Sequence, residues 1–286
     1  MKTAFIIPTY NQASSLRKCL LGVLAQTERD FETIVADDGS GPETSAVLQR
    51  REFKSLRIRH LWQPDRGWRK NRILNLALAS TDADYCIFID GDSIPKADYV
   101  EMHLRNRQAR CYLSGARVHL PEHVHPDLTD DDILSNRIFN YDFLLSKDPG
   151  LARYRHRLGD SRWRHVLNFL TYRPRVWLGT NCSAWRKDLV KVNGFNETFG
   201  YGSDDRELGM RLSNAGVWSK YLKYTLIQAH LMHPYMPNYA QLKQNRRRFQ
   251  RLYFVRETWS PVGMDTILER YQEEQEPLTR RLRIAA

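Results

Sequence analysis

The sequence has no run of eighteen or more apolar residues. Without one, no segment is suited to cross a bilayer as a helix. Cysteine is scarce: Cys19, Cys86, Cys111 and Cys182 lie far apart, with no C-x-x-C pair. They sit in apolar segments, which points to buried reduced thiols and away from a disulfide framework. Neither G-x-x-x-x-G-K-[ST] nor G-x-G-x-x-G occurs, so P-loop and dinucleotide readings lack their signature. There is no internal repeat and no low-complexity tract. "MKTAFIIPTYN" carries one lysine and lacks a small-residue cleavage site. It is expected to be a first strand, not a signal peptide, and a cytoplasmic location is expected. Asn181-Cys-Ser and Asn196-Glu-Thr would accept glycans only in a secretory protein.

What remains is ordinary globular material. The chain has 286 residues, 42% hydrophobic and 11% aromatic. That is enough for one large α/β domain, or one domain with an appended subdomain. The net charge is +11, and nearly all of the excess lies beyond residue 100. A basic surface favours nucleic acid, membrane headgroups or a phosphorylated substrate, without choosing among them.

Strands and helices alternate over the first 120 residues. "TAFIIP", "ETIVAD", "RIRHLWQ", "YCIFID" and "CYLSGARVHL" have the composition of strands. "SSLRKCLLGVLAQT", "SGPETSAVLQRREF", "RKNRILNLALAS" and "DYVEMHLRNRQ" are expected helices, with Ser14 placed to cap the first. This pattern implies a mostly parallel sheet flanked by helices, with ligands beyond the carboxyl ends of its strands. Residues 121–175 break the pattern and are expected to be a helical insertion bordering the site. The expected divisions are 1–120, 121–235 and a C-terminal helical extension over 236–286.

Three strand ends finish in chemically useful residues: "PTYN", "DDGS" and "DGD". Asp90 and Asp92 flank Gly91, which permits close ligand approach. Like charges this near each other need a cation or hydrogen bonds to offset their repulsion. A divalent metal that also holds a diphosphate would do this, and hard oxygen ligands suit Mg2+ or Mn2+. A solvated turn is the alternative. "FGYGSDDRELGMRL" leads a loop into a helix that starts with Ser203, Asp204 and Asp205. Acids there could simply cap the helix. "HLPEHVH", with His119, His123 and His125, matches no zinc spacing and is expected to be a loop. Asp130 to Asp132 are expected to cap a helix or form a turn. "NRRRF", from Asn245, could meet phosphate, lipid or nucleic acid, or be a solvated helix face.

"FIIPTYNQASSLRKCLLGVLAQT", "IVADDGS" and "CIFIDGDSIP", in this order, resemble the nucleotide-sugar-binding half of the family 2 glycosyltransferases, which have the GT-A fold. "GTNCSAWRKDLVKVNGFNETFGYGSDDRELGMRL" resembles the acceptor-side segment of galactosyltransferase-like enzymes. The resemblance implies an α/β GT-A domain and residue roles. Pro8, Thr9 and Tyr10 would border uracil and ribose. Asp38 would accept from the uracil imide. Asp90 and Gly91 would meet the ribose, and Asp92 the metal. Arg66 and Lys70, beside Asn71, would neutralise the nucleotide. The family's Arg-Asn is Lys70-Asn71 here and its glycine is Ile73 or Leu74, so a solvated helix face is an equal alternative for Lys70. Asp205 would be the general base, Asp204 an acceptor-binding carboxylate, and Glu207 structural. His230 would join the metal, with His233 on the metal or a phosphate. An imidazole favours Mn2+ over Mg2+.

The expected activity is inverting, metal-dependent transfer of a hexose or N-acetylhexosamine from a UDP-sugar to a glycan hydroxyl. The acceptor would be a cell-envelope polysaccharide or lipid-linked oligosaccharide, with peripheral contact to the anionic inner face of the membrane. Trp163, Trp177 and Trp185 are candidate sugar platforms, and core burial is an equal reading of the last two. The rivals are a sugar-phosphate nucleotidyltransferase and a non-enzymatic nucleic-acid-binding protein. The first lacks a Gly-rich basic loop, and the second leaves the carboxylates unexplained. No nucleic-acid partner is expected.

Overall fold

The computed structural model describes residues 1–158, 163–171, 177–234 and 239–274. Among them are ten strands: β1 (Thr3–Thr9), β2 (Glu32–Asp37), β3 (Ile58–Trp62), β4 (Tyr85–Ile89), β5 (Ser93–Pro95), β6 (Cys111–Ser114), β7 (Ala116–Leu120), β8 (Asn181–Trp185), β9 (Trp218–Tyr221) and β10 (Ile227–Leu231). Seven form a sheet in the order β3-β2-β1-β4-β8-β6-β9, and three form a second, β5-β10-β7. In the larger sheet only β8 runs against its neighbours.

Both faces of the central part of the large sheet are covered, which is why β1, β2 and β4 are mostly apolar, whereas the edge strands β3 and β9 carry polar residues. Side chains alternate across a strand. In β1, Phe5 and Ile7 pack with Leu16 and Leu20 of the helix Ala13–Leu24. Ala4 and Ile6 point the other way, into a layer with Ile73 and Ala77 of the helix Lys70–Ser80. Each large aliphatic buried this way stabilises the fold by about 1.5–3 kcal/mol. All four cysteines are buried and free. Among the described residues, no helix is long and apolar enough to cross a membrane.

Two local expectations change. The first helix begins after Gln12 with no side-chain cap, and Ser14 lies inside its first turn. "CYLSGARVHL" is two strands, β6 and β7, which part at Gly115 and join different sheets. A Cβ on Gly115 would stand 2.4 Å from the Leu226 carbonyl oxygen and 2.5 Å from the Asn181 side chain. Only glycine leaves room for the backbone to pass there.

Residues 121–158 do not stand apart. Val124, Leu128, Ile133, Ile138 and Leu144 share the core of Leu16 and Leu20. The far end of this segment rests on β7, where the Tyr154 hydroxyl accepts from the His119 N–H at 3.2 Å. Parts of the basic, aromatic-rich stretch, 159–162 and 172–176, lie outside the described residues, as do 235–238 and 275–286. The helix expected over the Arg-rich segment spans Tyr239–Val255.

Both sequons are structural. Asn181 is buried, and its amide donates to the carbonyls of Ala116 and Leu226. Asn196 is buried and donates to Glu207. His103 meets the Asn181 side-chain amide oxygen at 3.2 Å through Nε2 and the Ser183 hydroxyl at 2.7 Å through Nδ1. Nε2 therefore donates and Nδ1 accepts. Burial pushes this imidazole down to about 3, so it stays neutral.

Candidate active site

Parallel strands deliver their carboxyl ends to one edge of the sheet. β1 ends at Thr9, β2 at Asp37, and β4 just before Asp90. Because β8 is antiparallel, its first residue, Asn181, pairs with Ile89 at the end of β4. The preceding turn, Leu178-Gly179-Thr180, therefore reaches the same edge.

On the β2 side, Asp38 is buried and oriented. Its carboxylate accepts from Gln63 Nε2 at 2.5 Å and from the Arg69 backbone N–H at 2.8 Å. Burial nevertheless raises its pKa. Asp37 turns inward, accepting from the Ser40 N–H at 2.8 Å and pairing with His60 at 3.0 Å. Tyr10 is exposed and donates to Asp65 at 2.8 Å. The Gly91 N–H donates to the Pro8 carbonyl at 3.0 Å. A Cβ on Gly91 would lie 3.1 Å from Thr9 Oγ1. That hydroxyl is buried with no hydrogen-bond partner among the described residues, a polar orphan at the strand edge. Arg66 is exposed and pairs with Glu274 at 3.4 Å.

The small sheet assembles the histidines. β10 runs antiparallel to β5, with His230 opposite Ser93, and parallel to β7, with His230 opposite His119. His230 Nδ1 thus comes 3.2 Å from Asp92 Oδ1, and His233 Nε2 comes 3.2 Å from Asp92 Oδ2. One ligand atom from each of the three lies within 4.8 Å of the others. Neighbouring ligands of an octahedral ion with ~2.1 Å bonds lie about 3 Å apart, so the set fits a divalent cation. Its mixed nitrogen and oxygen donors suit Mn2+ better than Mg2+. In the structure the three are held as hydrogen-bonded pairs. Burial opposes charge on Asp92, but His230 and His233 outweigh it and hold the carboxyl well below its usual range. The hydrogen bond to Asp92 raises His233 to about 9.

The acidic helix start comes to this edge too. Ser203 adopts φ 68° before the helix Asp204–Asn214. Asp204 and Asp205 are partly buried. Lys70 Nζ lies 2.6 Å from Asp90 Oδ1 and also feels the charges of Asp205 and Asp204. Burial disfavours the ammonium, and the three carboxylates more than offset this. Asp205 is pushed up to about 7, first by burial and then by Asp204. A helix N-terminus ordinarily favours ionised acids. Here burial and mutual repulsion win. A Cβ on Gly179 would stand 2.3 Å from Asp205 Oδ1, so the Asp205 carboxylate rests directly against this glycine.

Residues 4–175 match the family described as Glycosyl transferase family 2. The chain belongs to glycosyltransferase family 2. Residues 168–234 of this glycosyltransferase match the N-terminal domain of galactosyltransferase. It is 29% identical over 231 residues to validoxylamine A glucosyltransferase of Streptomyces hygroscopicus, covering 74% of this chain and 51% of that one. It is also 29% identical over 227 residues to chondroitin synthase of Escherichia coli, covering 75% and 32%. The chain thus spans about half or less of these relatives. Solved GT-A structures share the fold. One is the Pyrobaculum calidifontis mannosyltransferase in complex with GDP-Man and Mn2+, with TM-score 0.58, 17% identity, and 88% and 63% coverage. Another is S. aureus TarS 1–349 in complex with UDP, with TM-score 0.58, 15% identity, and 96% and 72% coverage.

Several expected positions of the glycosyltransferase move. Trp177 is no sugar platform: it is 1% exposed and packs on Phe88, Tyr112 and Phe195. Trp185 meets Tyr85 edge-on, its partner at the amino end of β4, on the opposite edge from Asp90. Trp163 is exposed before the helix Arg164–Leu170. Lys70 is paired and half-buried, not a solvated helix face. Glu207 is buried against Arg211 at 2.7 Å. Sequence reasoning missed His119, whose ring meets His230 edge-on at 5.4 Å. It also missed Gly179, for which the turn-like "LGTN" was the available signal. Trp68 and Tyr201, at 5.0 Å, join the loop before the helix Lys70–Ser80 to the loop before Asp204. Their signal was an aromatic beside glycine in each loop.

Proposed function

We propose that this glycosyltransferase moves a hexose or N-acetylhexosamine from a UDP-sugar to a glycan hydroxyl, with inversion at the anomeric carbon and a divalent cation, preferably Mn2+. The observation that carries this is the Lys70 ion pair with Asp90, set in the field of Asp204 and Asp205. It links the donor-side acid Asp90 and the acceptor-side acids in one site.

Asp38, already oriented by Gln63 and Arg69, accepts from the uracil imide N–H. Thr9 Oγ1 and Asp90 meet the ribose. Asp92, His230 and His233 hold the cation. When bound, it supplies Lewis acidity to the departing diphosphate. Asp204 positions the acceptor, and Asp205 takes the proton as the acceptor oxygen attacks the face opposite the leaving group. A base raised towards neutral pH suits that work. Trp163 is the aromatic kept as a sugar-facing candidate. The acceptor class is a cell-envelope polysaccharide or lipid-linked oligosaccharide. Peripheral contact with an anionic membrane would use the Arg-rich helix Tyr239–Val255.

Thermal shift with UDP and GDP, each with and without Mn2+, tests the donor. UDP should stabilise the protein more than GDP, and more with Mn2+ than without. NMR of the product should show the anomeric configuration opposite to that of the donor. Preference for GDP, or retention of configuration, would overturn the corresponding part of the proposal.

A further inference from the structure

The residues assigned above leave one charged cavity unused. It has a volume of about 150 Å3, and Arg117, His119, Arg157, Leu178, Thr180 and Tyr221 contribute to its wall. Pockets that hold whole small ligands run to about 300–1,000 Å3, so this space suits one group of a larger substrate.

Its walls touch both halves of the reaction. Leu178 and Thr180 flank Gly179, against which the Asp205 carboxylate rests. His119 meets the metal-side His230 edge-on. A substrate group held here would lie beside the proton acceptor and the diphosphate end of the donor.

Its charge is one-sided. Among the described residues, no acidic residue lines it. Arg157 donates one N–H to the Arg117 carbonyl at 2.6 Å and lies over the Tyr154 ring at 5.1 Å. Neither Arg117 nor Arg157 has a carboxylate partner among the described residues. Both are only partly exposed. Deeper in, the Thr180 hydroxyl accepts from Gln228 Nε2 at 2.6 Å. Gln228 is fully buried, and its amide oxygen has no hydrogen-bond partner among the described residues. Two guanidinium forks without acids are costly to shelter from water, and planar oxyanions match their geometry.

We propose that this cavity is an acceptor subsite for an anionic group, a carboxylate or a phosphate borne on or next to the sugar that receives the glycosyl unit. The inference rests on the acceptor-side reading of Asp205 and deepens it, because it assigns the acceptor a charge. Bidentate contact from Arg117 and Arg157 would fix the sugar's register, so that one hydroxyl faces Asp205.

The test is calorimetric titration of the full chain with glucuronate, inorganic phosphate and glucose, with UDP and Mg2+ present to keep phosphate from the donor site. One anion should bind about tenfold or more tighter than glucose, the worth of charge-assisted hydrogen bonds. Arg117→Gln and Arg157→Gln should each weaken that anion by a similar factor while UDP still binds. Arg117→Lys, which keeps the charge, should lose less. Tighter glucuronate would identify a uronic-acid acceptor, and tighter phosphate a phosphodiester one. The proposal is overturned if neither anion outbinds glucose, or if both Gln variants bind the anion like the parent. Failure of UDP to bind would sink the donor reading alone. Repeating the anion titrations on parent and variants without UDP would still decide the cavity.

Discussion

At the scale of single residues, Asp205 carries the sharpest predictions. As a general base it must be ionised, and its pKa is pushed up to about 7. The acceptor kcat/KM should therefore rise with pH along a limb centred near pH 7. Asp205→Asn should lower kcat by about 10²–10⁴-fold, the usual worth of a positioned base, with UDP binding kept. The same shift fixes a stability sign. The folded-state pKa lies above the ordinary value of 3.8. The group's favourable contribution is thus complete below pH ~4 and is lost as pH rises through about 7. Asp205→Asn should then raise Tm most at pH 8, less at pH 5, and little below pH ~4. An unchanged pH 8 melting curve would contradict the burial argument. Lys70 is the counterweight to three acids. Lys70→Met should move the activity limb upward by about one unit, about 1.4 kcal/mol of lost electrostatic support. Lys70→Arg should restore part of it. The acids were legible in the sequence because strand tips and a helix start expose them by type and position. Lys70 was named for the nucleotide, but its place among these acids was not legible, since Asp204 and Asp205 lie more than a hundred residues along the chain.

At the scale of elements, the site depends on pairings between very short strands. β5 has three residues, yet its register against β10 sets which side chain faces Asp92. A one-residue slip would turn His230 away, because strand side chains alternate. The sequence marked β10 as strand-like and named His230. It could not show that β7 lies on β10's other side, so His119 was set aside as a loop residue. It showed "CYLSGARVHL" as one strand for the same reason: nothing local reveals that Gly115 is where two sheets part. Two glycine substitutions separate the resulting roles. Gly115→Ala forces a Cβ towards the Leu226 carbonyl. It should destabilise the fold by about 1–3 kcal/mol through overpacking, and weaken Mn2+ binding as β7 and β10 shift. Gly179→Ala presses on the Asp205 carboxylate instead. It should lower kcat while the Kd values for UDP and Mn2+ hold. If Gly179→Ala weakened Mn2+ more than it lowered kcat, the turn would belong to the metal side and not to the base.

At the scale of the molecule, the α/β pattern made the large sheet legible, since apolar runs at this spacing pack only one way around. The C-terminal segment was harder, because its charges mix in sign and few positions are apolar. The structure shows what holds it. Ile267 is fully buried in the layer that includes Ile73 and Phe195. Around it, Arg270 pairs with Glu197 at 2.7 Å, and the Tyr271 hydroxyl donates to the Trp62 carbonyl at 3.0 Å. Glu274 faces Arg66, Arg69 and Arg72. Ion pairs near a surface are worth about 0–1 kcal/mol each, whereas removing a buried isoleucine to alanine costs about 2–5 kcal/mol. Apolar burial should therefore dominate the attachment. Ile267→Ala should lower Tm clearly in chemical or thermal melts, and Glu274→Gln should change it little. Adding salt should not reproduce the Ile267→Ala loss, because screening weakens charge pairs and leaves hydrophobic burial intact. A larger loss from Glu274→Gln than from Ile267→Ala would mean that the arginine cluster, close to the Arg69 N–H that orients Asp38, is what anchors the segment. UDP affinity would then fall together with stability.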